Sequence, residues 1–138
     1  MAEKQTGGCL CKAVRYEVSV EPLFAANCYC RQCQQATGSA FATVIGYTEA
    51  DITVQGEAKK YTVISDAKTE VMRSFCGDCG SQLFTHGESV PGLMFIKAAS
   101  LDDPSWVKPQ INCWTSAQQP WAPLADADAS FPENPPHP

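Results

Sequence analysis

Apolar and polar residues alternate with a period of two through much of the chain, the mark of half-buried strands. Val14-Arg15-Tyr16-Glu17-Val18 and Ile52-Thr53-Val54 carry it, and Lys60 to Ile64 is similarly rich in β-branched and aromatic residues. Further strands are predicted at Phe41 to Ile45, Val71 to Phe75, Gln82 to Thr85, Leu93 to Ala98 and Gln110 to Trp114, with Gly, Asp or Pro clusters between them. No long stretch repeats every 3.6 residues. Gln32 to Thr37, followed by Gly38, is predicted as one short helical piece with Gly as its stop. A mainly β fold follows. The last stretch, residues 125–138, holds Pro132, Pro135, Pro136 and Pro138, which cannot donate to a sheet ladder, so a loose tail is expected behind a single domain over residues 5–124.

At 138 residues and 44% hydrophobic, the chain is long enough for one real core. Its net charge of -5 argues against a phosphate-binding surface, since nucleic-acid affinity draws on clustered Lys and Arg. Neither an apolar run near Met1 nor a segment able to span a bilayer is present, so a cytoplasmic location and no membrane partner are expected. In that compartment thiols stay reduced, which moves the eight cysteines from disulfides toward metal or redox chemistry.

Seven of them fall in three tight groups: Cys9-Leu10-Cys11, Cys28-Tyr29-Cys30-Arg31-Gln32-Cys33 and Cys76-Gly77-Asp78-Cys79-Gly80. The last has the form of a zinc knuckle, two thiolates one turn apart with glycines that let amides approach sulfur. A closed tetrahedral site needs four ligands. Cys9 and Cys11 could complete it, leaving Cys28, Cys30 and Cys33 as a separate set of three; or Cys30 and Cys33 could complete it, leaving Cys9, Cys11 and Cys28 unexplained. The first arrangement uses seven cysteines and pairs a saturated site with one that keeps a position for water or substrate. A purely structural zinc ribbon and a redox dithiol are the competing readings, the second weakened by the lack of a βαβ context. Cys113 has no partner nearby in sequence and reads as a buried free thiol.

The chain resembles the glutathione-dependent formaldehyde-activating enzymes, the CENP-V/GFA family. The likeness rests on Gly7-Gly8-Cys9-Leu10-Cys11 with Val14-Arg15-Tyr16, on Cys28 to Cys33 with Thr37-Gly38-Ser39-Ala40-Phe41, and on Phe75 to Phe84, and it reaches the segment containing Trp121. The resemblance implies an Mss4-like β-tent of short antiparallel strands and two zinc ions. It implies Cys9, Cys11, Cys76 and Cys79 as ligands of a structural zinc, and Cys28, Cys30 and Cys33 as ligands of a catalytic one. It also implies a carbon-sulfur lyase that handles glutathione, or another thiol, and formaldehyde or a related small aldehyde. Lys12 stands where many members have Gly, and Tyr29 where many have His.

A thiol bound at an open zinc position would be deprotonated and could attack a carbonyl carbon. Tyr29 and Ser39 are the polar residues nearest in sequence for the proton this needs. Glutathione's two carboxylates would call for Arg31, Arg73, Lys97 or backbone amides. His86 could be a ligand or a structural residue. Phe41, Phe84, Phe95, Trp114 and Trp121 could wall a pocket, though aromatics at strand spacing are core by default.

Overall fold

The computed structural model describes residues 2–136. Eleven strands, β1(Gln5–Gly8), β2(Arg15–Val18), β3(Phe24–Cys28), β4(Ala42–Thr48), β5(Ile52–Gln55), β6(Lys59–Ile64), β7(Glu70–Phe75), β8(Gln82–Gly87), β9(Leu93–Lys97), β10(Ile111–Cys113) and β11(Ala129–Ser130), accompany one helix, α1(Arg31–Thr37). The mainly β reading holds, and each predicted strand is present within a few residues of its expected ends. They form a three-stranded sheet in the order β1-β2-β5 and an eight-stranded sheet in the order β11-β10-β3-β4-β9-β8-β7-β6.

Cross-strand register decides which side chains share a face, because directly opposed residues point the same way and neighbours along a strand point oppositely. On the large sheet, Ile45 faces Ile96, which faces Phe84, and Tyr47 faces Met94. These residues bury against Val14, Tyr16, Val18 and Ile52 of the small sheet and its flank, forming the core. Tyr16 and Phe84 meet edge to face across it at 5.4 Å.

The opposite face of the large sheet follows from the same register. Arg73 is level with Thr85, and Thr85 with Phe95. Two residues along β9, Lys97 is level with Val44, and Val44 with Ala26. Two residues along β3 is Cys28, which lies beside Cys113 in a parallel pair. Helix α1 belongs to this side, tied to β6 by Gln32 Nε2 donating to the Ile64 carbonyl at 2.7 Å.

The predicted helical piece begins one residue earlier than expected, because Cys30 is its N-cap and accepts a hydrogen bond from the Cys33 amide. It ends at Gly38, whose φ of 69° is the left-handed turn that a Cβ would strain. The Pro-rich stretch is not loose over its described part. Ala129–Ser130 pairs with β10, and the Trp114 amide donates to the Glu133 carbonyl at 3.1 Å. Prolines prevent a central strand but not a short edge strand of two residues. Residues 137 and 138 lie outside the described residues.

Candidate metal centres

The seven grouped sulfurs divide four and three: Cys9, Cys11, Cys76 and Cys79 lie together, as do Cys28, Cys30 and Cys33, each set with its ligand atoms within 4.8 Å of one another. The pairing of Cys30 and Cys33 with the knuckle is therefore not the one the fold makes. All eight cysteines are free thiols.

The four-sulfur group joins the two sheets. Cys9 and Cys11 lie in the turn after β1 of the small sheet, and Cys76 and Cys79 in the turn between β7 and β8 of the large one. The Cys9–Cys11 and Cys11–Cys76 sulfur separations are 3.7 and 3.6 Å. A tetrahedral ion with bonds of about 2.3 Å to sulfur spaces its ligands by about 3.8 Å, so the set fits a thiophilic ion such as zinc. Backbone amides and a hydroxyl surround it. Val14 N–H points to Cys9 Sγ at 3.2 Å, Asp78 N–H to Cys76 Sγ at 3.4 Å, and Ser81 Oγ is 3.2 Å from Cys79 Sγ. The Ser81 hydroxyl, then its amide, bring the Cys79 thiol down to about 5. Lys12, in the Cys9–Cys11 turn, has a φ of 68°, which a Gly would adopt without strain.

The three-sulfur group lies on the face of the large sheet away from the core. Cys28 closes β3, Cys30 caps α1 and Cys33 sits in its first turn, so one strand-to-helix corner supplies every sulfur. Three sulfurs fit a metal that keeps an open position. The surroundings differ from those of the first group. Arg73 and Lys97 are 8% and 7% exposed, and neither pairs with a carboxylate among the described residues. Arg73 Nη2 donates to Cys33 Sγ at 3.7 Å, while Nη1 is buried with no protein partner. Hydrogen bonds from Cys28 and Cys30, then the Lys97 and Arg73 cations, hold the Cys33 thiol well below its usual range. Burial lowers the Lys97 ammonium and the charge of Cys33 opposes that shift. Arg73 also lines a cavity of about 340 Å³ between α1 and strands β6 to β8, with Gln32, Gln35, Tyr61, Phe75 and Gln82 among its other walls.

Other candidates fall elsewhere. Tyr29 is wholly buried, stacked on Phe41 at 4.9 Å, and its hydroxyl accepts from the Ala125 amide at 3.0 Å. Ser39 is exposed just beyond α1. His86 bonds Glu49 at 3.2 Å toward the far end of β8 and joins neither sulfur group. Arg31 turns to Gln34 on its own helix. None of the five aromatics proposed as pocket walls lines the 340 Å³ cavity: Phe84 is core, Phe95 packs on Phe24, and Trp121 is 71% exposed. Tyr61 and Phe75 take that place, a consequence of the β6–β7 register. Cys113 is buried as expected, but it lies across from Cys28, and its thiol donates to the Asn27 carbonyl at 3.5 Å.

The model of the family described as "Glutathione-dependent formaldehyde-activating enzyme" matches residues 4–117, which contain both sulfur groups. The chain belongs to that family. Among proteins similar to it, one from Penicillium rubens is 31% identical over 79% of this chain and 59% of its own length. Another, from Talaromyces marneffei, is 30% identical over 79% of this chain and 60% of its own. Both are provisionally named glutathione-dependent formaldehyde-activating enzymes, and the chain spans less than two thirds of their length. A crystal structure of a Rhodobacter sphaeroides protein, a structural-genomics target, superposes with a TM-score of 0.57 at 25% identity, covering 75% of this chain and 91% of that one. Among the described residues no helix is long and apolar enough to cross a membrane.

Proposed function

We propose that this member of the family joins a thiol such as glutathione to formaldehyde or a related small aldehyde, at a zinc ion held by Cys28, Cys30 and Cys33. The carrying observation is the unequal division of the sulfurs: one set of four, which a tetrahedral ion saturates, and one set of three beside a cavity. In the net reaction the sulfur forms a bond to the carbonyl carbon, the carbonyl π bond breaks, and the thiol proton ends on oxygen. A zinc ion bound at the three sulfurs would keep the substrate thiol ionised at neutral pH.

The chain's own residues do the rest. The strand-to-helix corner fixes Cys28, Cys30 and Cys33 before substrate arrives, which lowers the ordering cost of the reaction. Arg73 orients the Cys33 sulfur through its hydrogen bond. The cavity between α1 and β6 to β8 receives the remainder of the thiol, where Gln82 Oε1, buried and without a protein partner, accepts from an N–H of the bound molecule. The four-sulfur group takes no part in chemistry and ties the sheets. Reverse cleavage of the same carbon–sulfur bond makes the enzyme a lyase.

Formaldehyde adds to thiols unaided, so the test is a rate. Exchange between glutathione and its formaldehyde adduct, followed by NMR, is expected to accelerate with zinc-loaded protein and return to the uncatalysed rate with Cys33→Ser. No acceleration by the loaded wild type with any small aldehyde would overturn the proposal.

A further inference from the structure

Two buried cations that pair with no carboxylate among the described residues are a costly arrangement unless an anion is present, because an unpaired charge in a protein interior loses its hydration uncompensated. Arg73 and Lys97 are in that position, on the same sheet face as Cys28. Arg73 Nη2 donates to the Cys33 sulfur at 3.7 Å. We infer that Arg73 and Lys97 are specificity-determining residues that make the three-cysteine centre accept an anionic fourth ligand, a thiolate, in preference to a neutral one. The inference rests on the reading of Cys28, Cys30 and Cys33 as a metal site with an open position.

The charge balance carries it. Three thiolates around a divalent ion leave one net negative charge, which by itself repels a further anion. The guanidinium and the ammonium turn that into one net positive charge, and an incoming thiolate brings the buried cluster to neutrality. A neutral ligand would leave the positive charge uncompensated in a site that excludes much of the water able to screen it. The four-cysteine group is the internal control. Four thiolates there leave two net negative charges, yet the named donors to its sulfurs are amides and a hydroxyl, and Cys11 is exposed to water. A centre that takes no further ligand needs no buried cations.

Thiolate choice is separable from turnover. Zinc-loaded protein would be titrated calorimetrically with 2-mercaptoethanol, whose tail is uncharged, and separately with imidazole, a neutral ligand, with zinc content checked afterwards. Wild type is expected to bind the thiol at least about a hundredfold more tightly than imidazole, with release of the thiol proton. Arg73→Met and Lys97→Met should each reduce that ratio by about tenfold or more, and Arg73→Lys and Lys97→Arg should largely restore it. A merely structural role would lower stability without moving the ratio. An unchanged ratio in the methionine variants overturns the inference while leaving the open metal site standing. Should those variants not fold, the wild-type ratio decides: equal affinity for the two ligands overturns it. A zinc-loaded wild type that takes up neither ligand overturns the open site itself, and this inference with it.

Discussion

The two sulfur groups are made of the same side chain and differ in almost everything around it. Cys9, Cys11, Cys76 and Cys79 come from two turns in two sheets, at an edge where amides and Ser81 meet the sulfur. Cys28, Cys30 and Cys33 come from one corner of one sheet, beside two buried cations and a cavity. A metal at the first ties together turns of two different sheets that the chain otherwise joins there by the Leu10 N–H to Ser81 Oγ hydrogen bond. A metal at the second closes only a local loop that a strand and a capped helix already hold. The proposed division, stability at the first site and chemistry at the second, rests on this difference in surroundings.

The largest expected effect breaks the first site. Cys76→Ser should cost roughly 10 kcal/mol of metal-coupled folding, comparable with a whole domain's stability, and cooperative melting followed by circular dichroism should disappear. Cys30→Ser should be far milder for the fold. Serine is a good N-cap, so α1 keeps its first-turn bond while the second metal and its activity are lost, and the melting temperature should fall by no more than about 10 °C. Gly38→Ala should cost about 1 kcal/mol, since alanine resists the left-handed turn, and should loosen metal held at the helix corner without affecting the other site. Lys12→Gly should act in the opposite sense. It relieves a positive φ beside Cys11 and should raise stability by up to about 1 kcal/mol in urea unfolding.

Much of this contrast was legible in the sequence because cysteine spacing is local information. C-x-C and C-x-x-C fix which sulfurs turn toward one another, and ligand number then favoured four plus three. Arg15–Val18, with its clear alternation, and Lys59–Ile64, rich in β-branched and aromatic residues, were legible for the same reason. Gln5–Gly8 was not, because two glycines and no apolar alternation leave it a strand only through pairing with β2. Phe24–Cys28 was hidden by two alanines and an asparagine, poor strand formers that the small space between β10 and β4 accepts. Arg73 and Lys97 were visible as cations, but their burial on one face depends on register across β7, β8, β9 and β4. Cys113 looked isolated because its neighbour Cys28 is 85 residues away along the chain and is reached only through a parallel pair.

Stepwise removal of zinc by a chelator, with bound metal, circular dichroism and adduct exchange recorded on the same samples, tests the division of labour most directly. Loss of the first equivalent should abolish exchange and leave the β signal and its melting cooperative, and loss of the second should coincide with unfolding. Both equivalents leaving together, or a fold that collapses with the first, would contradict it.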